Sequence, residues 1–284
     1  MKYSSRFFLY APMGVFLALV VIVSVHWWIA ASRLSAWLDA ANGHEIVPGV
    51  TMTYGTRHIS GFPFSLDTAF RDVTFSVATP HGPTKWHTAE FAMHALTYGR
   101  NETIFEAAGP QTLTWTRDDG TRHSLPFAVG ALHVSTIVEK GALANFDLDL
   151  LGFGSKAFTA KRLQFHMRRN GEDKLDLFVT AEGIGTSPET CPLLGAPLAK
   201  GELIGAITQA RALSTFLAGG QGWNEAVASW RAAGGRLGID VLYLSYPAAR
   251  AQRVTELRMA LPRMPAEELA TVAGLNQALC DEAH

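Results

Sequence analysis

From Phe7 to Ser32 the chain carries no Asp, Glu, Lys or Arg. The heart of this stretch, Phe16-Leu17-Ala18-Leu19-Val20-Val21-Ile22-Val23, is apolar on every helical face. A helix with one wet side needs polar residues on that side, so a core helix of a soluble domain is a poor fit. About 20 such residues in a helix cross the ~30 Å hydrocarbon layer of a bilayer. Lys2 and Arg6 precede the stretch, which sets residues 1–6 as a cytoplasmic tail and residues 7–31 as a transmembrane helix. Arg33 weakens that asymmetry, and Asp39 and Glu45 soon dilute it. Trp27 and Trp28 close the span, where amphipathic rings favour the headgroup layer. The rival reading is a cleaved signal peptide processed at Ile29-Ala30-Ala31. Such peptides have an apolar core of only 7–15 residues and do not end in paired tryptophans. Leu34, Trp37 and Leu38 continue the helical spacing beyond the membrane, and Gly43 supplies a stop.

Beyond Gly43 the apolar period changes from 3.6 to 2. Val73, Phe75 and Val77 alternate with polar neighbours, as do Phe91 and Met93, Leu113 and Trp115, and Leu132 and Val134. The same pattern recurs at Phe146, Leu148 and Leu150, at Leu163, Phe165 and Met167, at Leu175, Leu177 and Val179, and at Leu257, Met259 and Leu261. Alternation of this kind makes strands with one apolar and one wet face. Turn residues separate them, with hairpin tips at Asp118-Asp119-Gly120 and Asn170-Gly171-Glu172-Asp173. Such short links join antiparallel neighbours. The expected fold is therefore one transmembrane helix followed by a β-rich α+β domain, residues 44–284. Its centre is a large curved antiparallel sheet, a meander, covered by a few helices. Helices are expected at Gln221–Ala233, at Pro265–Cys280 and, as a shorter piece, at Leu203–Leu217. The Gly- and Pro-rich segment 183–201 is the candidate seam between two lobes. Gly152-Phe153-Gly154-Ser155-Lys156 lacks the third glycine of a dinucleotide fingerprint and reads as a turn.

Formal net charge is −1 with 17% charged residues, which leaves no basic stripe for nucleic acid. A hydrophobic content of 48% supports a packed core. In an oxidising compartment the two cysteines, Cys191 and Cys280, are a candidate disulfide; the alternative is two unrelated buried thiols. The ten histidines are scattered and no HExxH occurs. His87 and His94, seven apart on one strand, are expected on opposite faces. Asp147 and Asp149 share a face but have no acid partner placed by sequence. No catalytic residue, cofactor or metal site is expected, and the chain does not read as an enzyme.

Ile59-Ser60-Gly61-Phe62-Pro63-Phe64, soon after the anchor, is followed by strands and by Trp86; later comes Trp230-Arg231-Ala232-Ala233-Gly234-Gly235 before a new strand. This combination resembles the domain-of-unknown-function family 2125, anchored periplasmic proteins of alphaproteobacteria. It is more distantly similar to AsmA-type proteins, whose long curved sheets are associated with envelope lipid transport. The resemblance implies a single-pass protein of the bacterial inner membrane with a periplasmic domain, and it supplies no catalytic residues. A longer strand-rich tail after the Gly-Gly strand is the family expectation from which this chain departs. In the motif itself Gly61 lets the chain bend and Pro63 fixes an extended approach, so that Phe62 and Phe64 can be buried on the sheet. That makes it a core-anchoring turn, with peptide or lipid contact as the other reading.

Two functions are compatible with these features. The first is a membrane-anchored module that binds or shuttles an apolar ligand such as a lipid, in envelope maintenance, with Trp223 and Trp230 as candidate lining residues. The second is a non-enzymatic scaffold that docks a partner envelope protein.

Overall fold

The computed structural model describes residues 5–79, 82–98, 102–117, 119–139, 142–156, 158–171, 173–186, 198–213, 223–245 and 256–259. Helix α1, Ser5–Ala41, opens the chain. Its stretch from Tyr10 has a mean hydropathy of 2.2 in its most apolar window, and none of that window is buried. The strands follow in order: β1 His44–Val47, β2 Val50–Thr53, β3 Thr56–Ser60, β4 Ser65–Val77, β5 Thr84–Leu96, β6 Glu102–Thr116 and β7 Arg122–Glu139. Then come β8 Ala142–Ser155, β9 Phe158–Arg169, β10 Lys174–Thr186, β11 Leu198–Thr208, helix α2 Trp223–Ala232, β12 Leu237–Ser245 and β13 Glu256–Met259.

All thirteen strands form one antiparallel sheet in chain order, except that β2 and β3 share the outer edge of β4. The expected large antiparallel meander is the architecture found. Its tips have the predicted turn chemistry: Gly120 and Gly171 take φ of 81° and 76°. The Gly120 amide donates to Arg117 O at 2.9 Å, and the Asn170 amide donates to Lys174 O at 2.9 Å. β10 pairs with β11 through Ile184 and Leu198, so the sheet runs unbroken across the expected seam at 183–201, of which 187–197 lie outside the described residues.

A line of irregularities crosses the sheet at right angles to the strands. Pairing jumps between Thr88 and Phe91 in β5 and between Ala107 and Gly109 in β6. It also skips from Ala128 to Ala131 in β7 and from Leu151 to Phe153 in β8. Asp72, Gly109, Gly152 and Gly183 on this line all have positive φ. Against β5, β6 carries one extra residue, and so does β7 against β6, each a bulge that bends its strand; between β7 and β8 and between β8 and β9 the skip is equal on the two strands. Aligned across β4 to β10, the irregularities make one crease line at which the strands change phase. The apolar face keeps its side across the bend by a three-residue step: Phe70 and Val73, Thr88 and Phe91, Val129 and Leu132, Leu150 and Phe153, Ala160 and Leu163. Gly152 shows why the step needs a particular residue. It holds φ +63 against the backbone of Gly130, a conformation that a side chain strains. The segment Gly152–Ser155, expected as a turn, is therefore the bent end of strand β8, with Phe153 buried.

Helix α1 continues past its uncharged stretch as expected and lies on the first strands. Leu38 is 1% exposed and packs with Met52, Phe70, Val73, Phe91 and Ala107, with Leu34 alongside. Trp37 points away and is exposed. Tyr54 Oη donates to Leu38 O at 2.9 Å, and Arg57 reaches Ser35 and Asp39, the latter at 2.6 Å. The hydrogen bond that Arg57 donates to Asp39 raises the Arg57 pKa above its ordinary value. Gly43, at φ 81°, ends the helix and sends its amide to Met52 O. Helix α2 matches the expectation at 221–233 within its described residues. Residues 203–208, expected in a short helix, instead belong to β11. A run of Leu, Ile, Gly and Ala with little polar alternation suits a strand between two paired neighbours as well as it suits a helix. The expected tail helix Pro265–Cys280 and the pair Cys191 and Cys280 lie outside the described residues.

Candidate functional site: a creased apolar gutter

Several of the most buried described residues lie along the apolar side of the crease. Val73 and Thr88 are fully buried, and Phe70, Val129, Ala160 and Gln111 nearly so. There the Trp86 indole donates to Gln111 Oε1 at 2.8 Å, while the buried Gln111 Nε2 has no protein partner. The apolar clusters are continuous along the crease. Leu132 belongs to the margin of the first and second, and Ile184 to the margin of the second and third, which ends at Leu198 and Leu244. At ~4.8 Å per strand, the nine strands from β4 to β12 give a gutter about 40 Å long.

Cover over this gutter is uneven. Leu34 and Leu38 of α1 roof its beginning. At the far end Ala226 and Trp230 of α2 pack on Ile207, Leu213 and Leu237. Between them Val134, Phe146, Leu148, Phe165 and Met167 form an apolar wall that belongs to neither helix-covered cluster and is only half-buried. Phe146 and Phe165 stand edge to face at 5.8 Å. Their presence on one face follows from register: Val134 opposes Leu148, which opposes Phe165, and Phe146 opposes Met167.

The opposite face is wet and its charges are matched across strands. His94 Nδ1 lies 2.8 Å from Asp67 and His133 Nδ1 lies 3.1 Å from Glu106. His166 Nδ1 lies 2.6 Å from Asp147, and Arg162 grips both carboxylate oxygens of Asp149 at 2.8 and 2.6 Å. Asp147 and Asp149 share a face as predicted, but each already has its own cross-strand partner, His166 and Arg162. Burial pushes the Asp67 carboxyl up, and the hydrogen bonds from His94 and Ser65 more than offset this, leaving it below the usual range. The Arg162 hydrogen bond holds Asp149 below it as well. His87 and His94 were expected on opposite faces and lie on the same one, because the irregular step between Thr88 and Phe91 shifts the alternation in β5: Trp86 and Met93 both pack in the apolar cluster. Among the described residues no group of three or more His, Cys, Asp or Glu could hold a metal ion.

The aromatic residues singled out by sequence fall in two places. Trp230 is buried, donates its indole N–H to Thr208 O at 2.7 Å, and packs where a Cβ on Gly235 would overlap its ring. It locks the corner between α2 and β12; the Trp223 side chain lies outside the described residues. The second place is the Gly61 motif. Gly61 has φ 96°, and a Cβ there would collide with Ser65 and Asp67, so the bend requires glycine. Phe62 and Phe64 are not buried on the sheet as expected: they are 58% and 57% exposed. The tight turn, closed by the Ser65 amide on Gly61 O at 2.8 Å, carries both rings past the end of the sheet. Phe62 stands beside Trp27, whose indole donates to Ser65 O at 2.7 Å and whose ring meets Phe62 at 5.5 Å, while Phe64 meets Tyr98 at 6.1 Å. Trp28 faces outward.

No curated protein and no solved structure matches this chain. None of the comparisons shows a likeness to AsmA-type proteins. A family model does match, over residues 27–269, which take in the end of α1, the whole sheet and α2. The chain thus belongs to the DUF2125 family, described as an uncharacterized protein conserved in bacteria.

Proposed function

We propose that this protein is a membrane-anchored binding module for a long apolar ligand, an acyl chain being the simplest, held in the gutter. In this reading α1 spans the inner membrane with its N-terminus in the cytoplasm, and the sheet stands in the periplasm and serves envelope maintenance without chemistry of its own. The observation that carries the proposal is the half-buried wall of Val134, Phe146, Leu148, Phe165 and Met167 between two helix-covered ends. Apolar surface of that extent favours a ligand or a partner over water, and a concave apolar site suits a small ligand. Each methylene laid there contributes roughly 0.8 kcal/mol. The ~30 Å hydrocarbon of a bilayer is two acyl chains deep, so a gutter of about 40 Å takes an extended chain with room to spare.

A fatty acid carrying a photo-reactive diazirine, added to the full-length chain in lipid nanodiscs, tests this. Labelled peptides from β7, β8 and β9 are the expected result. Labelling confined to α1 counts against the carrier. The same wall crosslinking to another envelope protein in whole cells supports the scaffold in its place.

A further inference from the structure

We propose that the sheet has its own membrane contact, separate from the span: the turn Gly61–Phe64 and the end of β5 form an aromatic foot that inserts into the headgroup layer on the exported side. This rests on the reading of α1 as the anchor. Four large side chains are exposed together here: Phe62 at 58%, Phe64 at 57%, Leu96 at 52% and Tyr98 at 61%. They form one surface. Phe64 and Tyr98 stand edge to face at 6.1 Å, and the Thr97 amide and hydroxyl both donate to Phe64 O, at 3.1 and 3.0 Å. The segments that make it, Gly61–Leu66 and Ala95–Tyr98, contain no charged residue.

The patch is also continuous with α1 at one level of the helix. Trp27 holds the turn through Ser65 O and Phe62, and His26 lies 3.3 Å from Thr97 O. Trp27 and Trp28 end the uncharged stretch, where aromatic side chains meet headgroups. Whatever depth Trp27 reaches, Phe62 reaches beside it, and Phe64 continues the patch to Tyr98. A water-facing patch of this kind has no reason to be assembled from four large apolar groups, whereas an interface that is apolar on one side and wet on the other suits Tyr and Trp well. The consequence is mechanical. A single helix leaves its domain free to swivel; a second point of contact fixes the sheet end-on to the bilayer. The crease, met by Leu38, then stands about 16 Å beyond Trp27, at 1.5 Å per helical residue.

The test uses the full-length chain in nanodiscs of phosphatidylethanolamine and phosphatidylglycerol. The photo-reactive p-benzoylphenylalanine replaces, one at a time, Ile22, Phe64, Tyr98 and Trp115, and adducts are read by mass spectrometry. Ile22 reports the span, and Trp115 lies at the opposite end of its strand. Lipid adducts at Ile22, Phe64 and Tyr98 but not at Trp115 are expected. Adducts at Ile22 with none at Phe64 and Tyr98 overturn the foot and leave the anchor standing. Their absence at Ile22 overturns the anchor and the foot together. A product of twice the chain's mass from Phe64 makes the patch a contact between copies and overturns it as well.

Discussion

Over β4 and β5 the apolar face of the sheet is roofed by α1; over β7 to β9 the same face, built of the same residue types, has a crease but no described helix above it. Leu38 is 1% exposed under the first arrangement, whereas Leu148 and Phe165 stay half-buried under the second. The contrast separates two ways of hiding apolar surface. A helix fills the concavity and yields a closed core, while a bend alone shelters the residues at its bottom and leaves those on its walls partly open. The first contributes to stability, and the second leaves a place for something else. Leu38→Ala is the strongest way to break the first arrangement. A fully buried leucine truncated to alanine costs about 2–5 kcal/mol, read as a shift in the denaturant midpoint of the full-length chain by circular dichroism. Fatty-acid labelling in β7 to β9 is expected to persist under native conditions. If Leu38→Ala leaves the midpoint unmoved, α1 is not a structural part of the sheet.

Phe165→Ser sharpens the other side of the comparison. Removing a half-buried phenylalanine from the gutter wall takes away about 2 kcal/mol of apolar contact with a bound chain. That is roughly a thirtyfold loss of affinity. The cost in stability is expected to be less than half that of Leu38→Ala. Fluorescent fatty-acid titration set beside denaturation measures both. A large loss of stability with unchanged affinity reverses the assignment of the two regions.

The crease also explains which parts of this molecule its sequence discloses. Alternation at period 2 marks Leu163, Phe165 and Met167 plainly, yet Ala160 on the same face falls outside the pattern, because the step from 160 to 163 shifts the phase. The same shift hides Val129 below Leu132, and Phe70 below Val73. Half of each long strand was therefore legible as strand. The bend was not, since nothing local shows that neighbouring irregularities will align. His87 and His94 were placed on opposite faces for the same reason. The Gly61 motif was legible as a bend but not as an exposed one: whether Phe62 and Phe64 meet the sheet or overhang it depends on Trp27, 35 positions before Phe62. The long apolar helix needed no tertiary information, because its signal is simply length without charge.

Gly152→Ala addresses the crease itself. Holding a side chain at φ +63 costs roughly 1–2 kcal/mol, and the change relieves that cost by straightening β8. The expected outcome is a modest drop in the denaturant midpoint together with weaker fatty-acid binding, because a flatter sheet shelters less. A variant that binds normally makes the aligned irregularities incidental to the gutter.

The smallest effect is expected on the wet face, where the Arg162 hydrogen bond holds the Asp149 carboxyl below its ordinary range. A carboxyl whose folded value is depressed releases its proton more readily in the folded than in the unfolded chain, so the pair stabilises the fold above the unfolded value. That contribution fades as pH falls past the ordinary carboxylate range, about 3.9, towards the lower folded value. Both side chains are partly exposed, at 28% and 40%, and pairs of this kind contribute at most about 1 kcal/mol. Asp149→Asn should therefore lower the midpoint slightly at pH 7 and remove part of the acid sensitivity, with wild type and variant converging once the pH falls below the folded value. Fatty-acid affinity should not change, because Asp149 lies on the face opposite Leu148 and Leu150. An affinity that follows the Asp149 pair would mean that the ligand sits on the wet face, and the contrast between a roofed and an open apolar side would lose its meaning.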